Sequence, residues 1–412
     1  MKKRSVKKRE PKRKKTLASR VKQGKGTFTR IKVVGVGGGG GNAVSRMMAE
    51  SDRIRGVEFI AVNTDAQDLD HANAHKKIYI GRALTHGLGA GMNPEIGKQA
   101  AEENRSEIGE ALDAADVVFL TAGFGGGTGT GALPVIAEVA REKGILTLAV
   151  VTRPFSFEGS QRMTIAQEGL VRLKDKVDAL VVIPNDRIFS IIDKDTSVTR
   201  AFTHIDDVLK SAVKAIADLV NVPGIINIDF ADIKTTLKDA GTTLIGIGVA
   251  SGPERGVKAV EAAANSPLLE TAMEGAKGLL FSIAGGRDLK MAEVYDIAKA
   301  IAGTLDAGAR VIFGAYYDRG LSEKSIKVTV IATGFNGGWS EGNRLPLHSL
   351  FAKDAGGSPG SMKVKKEILV PAQNKKEEEL REEEGDAISS AKPLSKEEAW
   401  EIPAFLRKKK RR

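Results

Sequence analysis

The chain has 412 residues, no cysteine and a formal net charge of +11. The missing cysteines exclude disulfides, zinc–thiolate centres and thiol nucleophiles, and no apolar run reaches the length that spans a bilayer. Residues 1–30 hold 14 Lys/Arg against one acid, Glu10, and residues 403–412 hold six bases and no acid, which leaves residues 31–402 at −8; the basic character belongs to the ends and excludes a protein-wide nucleic-acid surface.

In chain order, residues 1–29 read as a disordered basic arm with almost no apolar content and no signal-peptide stretch, so a soluble cytoplasmic protein is expected. From Arg30 onward, apolar segments of strand length recur at Ile31–Val36, Val57–Val62, Ile78–Ile80, Val117–Leu120, Leu146–Val151 and Leu180–Ile183, mostly separated by helix-like segments. That alternation predicts a parallel sheet with helices on both faces over residues 30–197. Residues 198–223 carry apolar positions at i, i+3, i+4 and i+7 (Phe202, Ile205, Val208, Leu209, Ala212 and onward), a long helix stopped by Pro223-Gly224. Its length predicts burial between two α/β regions. Residues 224–335 predict a smaller α/β domain, with strands at Leu244–Val249, Gly278–Ile283, Arg310–Ala315 and Lys327–Ala332 and helices at Arg255–Asn265 and Lys290–Gly303. Residues 336–396 lose periodicity and read as a flexible linker; residues 397–412 regain Trp400, Ile402, Phe405 and Leu406 beside a basic end, the pattern of a short docking peptide.

The chemistry is concentrated in glycine-rich loops. Gly125-Gly126-Gly127-Thr128-Gly129-Thr130-Gly131 lies between a strand and a helix predicted from Ala132. Its backbone N–H groups, two hydroxyls and a helix N-terminus make a phosphate cradle. A P-loop needs a lysine after its last glycine, and Ala132 stands there instead. Strand Ile31–Val36 runs into Gly37-Gly38-Gly39-Gly40-Gly41-Asn42; Gly35, Gly37 and Gly40 also satisfy GxGxxG, which leaves a dehydrogenase or a tight turn open. Asn63-Thr64-Asp65 offers polar groups to a phosphate or Mg²⁺ shell, or forms an Asx turn. Gly87–Gly91 is a third glycine loop, and Pro184-Asn185-Asp186 closes the sixth strand. Glu158 and Arg162 stand at i, i+4, as nucleotide ligands or a surface ion pair. Phe202 and Asp206 suit a guanine, one for its face and one for its N–H groups, or are a core ring and a solvated helix residue. Among five histidines only His71 and His75 have i, i+4 spacing, and no metal-ligand pattern emerges.

The order and spacing of these loops over residues 30–335, resuming at 401–407, resemble the FtsZ family of the tubulin/FtsZ superfamily, bacterial cell-division GTPases. The resemblance implies a Rossmann-like, tubulin/FtsZ-type GTP-binding domain, and GTP/GDP as ligand with Mg²⁺ accompanying the nucleotide. The implied nucleotide contacts are Gly38, Gly39, Gly40, Gly41, Asn42, Gly127, Thr128, Gly129, Glu158, Arg162, Phe202 and Asp206. It assigns catalysis to Asn227, Asp229 and Asp232 of the segment Asn227–Asp232, supplied to the site of the next subunit in a head-to-tail polymer. Glu401–Arg407 resembles the family's C-terminal peptide, which binds membrane tethers of the FtsA, ZipA or SepF kind, and the basic termini offer contact with anionic lipid. The expected setting is a division ring at midcell on the inner face of the membrane. Two other readings remain: a Rossmann oxidoreductase, in which 125–131 and the aspartate pair have no role, and a non-catalytic scaffold of the tubulin superfamily, against which the intact Asp229 and Asp232 argue.

Overall fold

A computed structural model describes residues 29–335 except 50–55, 191, 194, 223, 267–274, 303–307, 319 and 323; the arm up to residue 28, the linker and the C-terminal peptide lie outside the described residues. Ten strands form one continuous order: β3-β2-β1-β4-β5-β6-β7-β10-β8-β9. They are β1 (Ile31–Val36), β2 (Val57–Asn63), β3 (Lys76–Tyr79), β4 (Val117–Gly123), β5 (Leu146–Arg153), β6 (Ala179–Pro184), β7 (Gly241–Ser251), β8 (Gly278–Gly285), β9 (Arg310–Tyr317) and β10 (Ser325–Thr333). The helices are α1 (Gly37–Ala49), α2 (Ala66–His71), α3 (Arg82–Thr85), α4 (Pro94–Glu103), α5 (Arg105–Leu112), α6 (Thr128–Glu142), α7 (Ser160–Lys174), α8 (Val198–Asn221), α9 (Phe230–Leu237), α10 (Arg255–Ala264) and α11 (Met291–Ala302).

The first six strands are all parallel, with Val33 flanked by Phe59 on one side and Phe119 on the other. Their near-continuous apolar sequence is what a sheet covered on both faces requires. Alternate residues serve opposite layers: Ile31 and Val33 pack in the core shared with α1 and α8, Val34 and Val36 in the core shared with α4, α5, α6 and α7. The part of this order from β7 to β9, called the second sheet below and joined to the first six strands through β6 and β7, is mixed, because β10 runs antiparallel to both β7 and β8 while β8 and β9 are parallel. Only Ala179–Leu180 and Gly241–Thr242 join β6 to β7.

The apolar stripe on α8 meets both sheets. Ile205, Leu209, Val213, Ile216 and Leu219 lie in one cluster with Val33 and Phe119 of the first sheet and Ile245, Leu280 and Ile331 of the second. The neighbours Leu279, Phe281, Val330 and Ala332 point instead to a separate core under α10 and α11. Burying that stripe contributes on the order of 10 kcal/mol before the entropy of ordering it. Ser197 caps the start of α8, and at its end Asn221 exchanges two hydrogen bonds with the backbone of Thr29, at 3.0 and 3.3 Å, just before β1.

Two helix details differ from the sequence expectation. α6 starts at Thr128 rather than Ala132, so the last four residues of the glycine heptapeptide, Thr128–Gly131, are helix. Glycine makes this possible: a Cβ on Gly131 would lie 1.9 Å from the Pro94 carbonyl oxygen, so the first turn of α6 packs directly on α4. His75 falls outside α2; its Nδ1 accepts the Phe59 N–H at 2.9 Å, which removes the i, i+4 pairing with His71.

Candidate nucleotide site and the carboxylate loop

Parallel strands deliver their following loops to one edge, the carboxyl ends, where α/β proteins bind ligands. Here that edge gathers the segments after β1, β2, β4, β5 and β6. Gly37, at φ +71°, turns the chain out of β1 into α1, and all five glycines fall in the first turns of that helix. Gly40 is there for packing, since its Cβ would meet the Thr121 carbonyl oxygen at 2.4 Å. Gly38 faces the Asp68 carboxylate and Gly39 the backbone of Gly123, whereas a Cβ on Gly41 would meet nothing within 4 Å. Gly38, Gly41 and Asn42 line a cleft with Asn63 and Asp68.

The loops interlock. Thr64 Oγ1 and Thr128 Oγ1 lie 2.6 Å apart, and Gly127 N–H donates to the Gly91 carbonyl at 2.7 Å. Gly125 N–H donates to Thr130 Oγ1 at 3.0 Å, while Gly127 and Gly129 are packed against the backbones of Ala90–Gly91 and Gly123. Gly126, like Gly41, is open, with nothing within 4 Å of a built Cβ. The result is a close-packed rim with two open backbone positions, Gly126 just before the N-terminus of α6 and Gly41 in the second turn of α1, and helix N-termini of this kind favour an anion.

After β5, Glu158 at the end of a 3-10 turn accepts through Oε2 from Arg162 Nη1 of α7 at 2.7 Å, and its other oxygen accepts the Phe155 N–H at 2.9 Å. The pair is thus an ion pair, held at the same edge as the cradle. Asp186 accepts the Ser156 N–H at 3.0 Å. Asn185 is buried at the end of β6, and its Oδ1 has no hydrogen-bond partner among the described residues, the kind of orphaned polar atom that calls for an explanation. Phe155 is buried and collects Phe157, Phe189 and Phe202 around it; the Phe202 ring meets it edge-on at 5.9 Å and is itself 37% exposed. Phe202 is therefore a supported ring with an accessible surface, not plain core. Asp206, one turn on, is not the solvated helix residue of the alternative reading: it is largely buried and ion-paired with Arg46 of α1. Burial pushes the Asp206 carboxyl above the usual aspartate range, opposed by the Arg46 guanidinium.

Asn227, Asp229 and Asp232 are not at this edge. They follow the far end of α8, where Ile226 bridges to Ala315 at the end of β9. Asn227 Oδ1 accepts the Gly224 N–H at 2.7 Å and so holds the turn. Asp229 occupies the N-cap position of α9 without capping it, and Asp232 lies in the first turn. Both side chains are exposed, because Ile233 and Leu237 take the buried face of the helix. Sequence reasoning missed Arg46 and Asp68; the signal for Arg46 was its i+4 spacing from Asn42 on one helix face.

Comparisons with known proteins identify the family. Residues 30–193 match the Tubulin/FtsZ family, GTPase domain, and residues 241–336 match the FtsZ family, C-terminal domain. An FtsZ dimer from M. jannaschii, solved empty, is 45% identical, covering 75% of this chain and 89% of that one with a TM-score of 0.70. CetZ1 from Haloferax volcanii, a GDP-bound monomer, shares the fold at 24% identity, 74% and 94% coverage and TM-score 0.64. CetZ2 of the same organism, a GTPγS-bound protofilament, does so at 22% identity, 74% and 92% coverage and TM-score 0.63. With both of its domains matched and a relative at 45% identity over three quarters of its length, the chain belongs to the FtsZ branch of the tubulin/FtsZ family of GTPases.

Proposed function

We propose that this chain binds GTP at the carboxyl edge of its first sheet, assembles head to tail, and hydrolyses GTP at the contact between two subunits. The observation that carries the reading is the distance between the two halves of the chemistry. α8 rises ~1.5 Å per residue, so Asp206 at the base end and Asn221 at the other are about 22 Å apart along the helix, with Asp229 and Asp232 beyond. A carboxylate there cannot serve a phosphate bound by its own chain. It can serve one bound by the next copy, and an interface of this heterologous kind repeats into a filament.

In this reading Gly38–Asn42 and Gly127–Gly129 surround the phosphates, and the donors are the free N–H groups of the first turns of α1 and α6, the Gly127 N–H being already bonded to Gly91. Glu158 and Arg162 contact ribose and phosphate, Phe202 packs on the guanine, and Asp206 accepts from its N–H groups. Among the described residues no three Asp, Glu or His side chains converge as a metal cage. A Mg²⁺ ion would enter with the triphosphate, on phosphate oxygens and water. Asp229 and Asp232 orient and polarise the attacking water, with Asn227 near the phosphates. In one subunit alone these acids would repel the substrate; at a contact they act only after assembly. The filament forms the division ring at midcell on the cytoplasmic face of the membrane, held through Glu401–Arg407 by a tether of the FtsA, ZipA or SepF kind, with anionic lipid touching the basic termini.

The test is GTP turnover per subunit against protein concentration, with sedimentation in parallel. A threshold below which both vanish is expected. Turnover per subunit that does not depend on concentration would mean a self-contained site and would remove the shared-site reading.

A further inference from the structure

We infer that Arg46 is a positioning residue for base recognition: it fixes the Asp206 carboxylate against α1 and thereby sets the preference for a purine that carries a 2-amino group. The inference rests on the proposed GTP site.

Arg46 lies one turn beyond Asn42, on the same face of the helix whose first turns form the glycine cradle. Its Nε donates to Asp206 Oδ2, and the two side chains are 36% and 13% exposed. The partner aspartate stands on α8 one turn after Phe202, the supported ring with an accessible surface. One side chain therefore ties the phosphate end of the site to its base end. The two helices are already locked together beneath this pair, since Val44 and Met47 of α1 share a core with Ile205 and Leu209 of α8.

The chemistry explains why the tie matters. Guanine presents N1–H and a 2-amino group to an acceptor; hypoxanthine presents N1–H alone. A carboxylate accepts both hydrogen bonds only when ionised and held in plane. Asp206 is disfavoured as an anion by its burial and by the neighbouring Asp207; Arg46 is the group that opposes both. Removing Arg46 leaves a buried carboxyl that is free to rotate and drawn toward its neutral form. It then loses the contact to the 2-amino group selectively.

The test is equilibrium binding of GDP and IDP to the full chain, below the assembly threshold, for the wild type and for Arg46→Ala, Arg46→Lys and Asp206→Ala. The ratio of the two affinities is the readout, because a merely structural role for Arg46 would weaken both ligands equally and leave the ratio alone. Arg46→Ala should reduce the preference for GDP by about tenfold, the value of one hydrogen bond to a charged group. Arg46→Lys should recover part of it, and Asp206→Ala should abolish it. A wild-type ratio in Arg46→Ala, with the preference lost in Asp206→Ala, would overturn the inference and leave the base site intact. A lysine variant no better than alanine would overturn it as well. A wild-type ratio in Asp206→Ala would remove the base-site reading itself.

Discussion

Two inactive variants should make an active mixture. The first is Asp232→Ala, which leaves the cradle intact. The second is Gly41→Glu, which leaves the carboxylate loop intact. Gly41 suits the purpose because a Cβ there meets nothing within 4 Å, so the fold has room for the side chain. An acid in the first turns of α1 also agrees with the helix dipole. It does place a negative charge where a phosphate would sit. Two like charges ~4 Å apart repel by about 4 kcal/mol at an effective dielectric of 20, roughly a thousandfold in affinity. Each variant alone should be silent. In a random 1:1 mixture half of the contacts present a working cradle, and half of those face a working loop. About one quarter of the wild-type turnover per subunit should therefore return, as expected of a heterologous interface. The assay is phosphate release at constant total protein, scanned across mixing ratios. Because ~22 Å or more of helix separates the two halves in one chain, no arrangement within a single subunit can produce this rescue. A mixture no more active than the sum of its parts would refute the shared site.

Three further outcomes follow from named contacts. Gly131→Ala drives a Cβ to 1.9 Å from the Pro94 oxygen and 2.7 Å from the Lys98 nitrogen, both backbone, and should cost about 1–3 kcal/mol or more in chemical denaturation; Gly126→Ala meets nothing and should keep wild-type stability while weakening GTP binding. Lys214 joins Asp218 at 2.6 Å and Asp318 at 2.9 Å in the layer between α8 and the second sheet, and burial lowers its pKa less than those two carboxylates raise it. Lys214→Met should therefore cost about 3–5 kcal/mol near neutral pH, read as a fall in Tm of roughly 5 °C or more. That deficit should shrink in acid as the stranded carboxylates protonate. In the wild type burial raises the Asp318 carboxyl but Lys214 and the Gly320 N–H hold it below the usual aspartate range, so its stabilisation is present above that range and lost as pH falls through the lowered value. Deleting Glu401–Arg407 should leave GTP turnover and sedimentation unchanged and abolish recruitment to tether-bearing vesicles, measured by co-flotation.

The sheet was legible because parallel strands are apolar on both faces: each run from Ile31–Val36 to Leu180–Ile183 appears as a strand, with ends shifted by up to two or three residues. The antiparallel placement of β10 between β7 and β8 was not legible, since strand order depends on contacts far apart in sequence. The cradle residues were visible as glycine runs, but their two kinds were not. Gly40, Gly127, Gly129 and Gly131 are glycine because backbone lies against them; Gly41 and Gly126 are glycine with nothing against them. Only packing separates these cases. The i+4 spacing of Arg46 from Asn42 placed it on the glycine face of α1, but an arginine on an amphipathic helix gives no sign of its partner 160 residues away.

The open glycines connect the fold to the chemistry. A position where a side chain would clash explains itself, and its glycine needs no ligand. A position where any side chain would fit, at a strand-to-helix turn beside a helix N-terminus, is left to glycine for a reason outside the folded chain. Gly41 and Gly126 come from different strands, β1 and β4, which are neighbours in register along Ile31–Val36 and Val117–Ala122. Gly41 lies in the second turn of α1 and Gly126 on the loop before α6, and each stands next to glycines packed against backbone. In the proposed reading these backbone positions hold the phosphates but supply no group that activates water. Asp229 and Asp232, which that reading assigns to the attacking water, follow the other end of the 24-residue helix α8. In the proposed reading, that separation makes assembly the switch for hydrolysis.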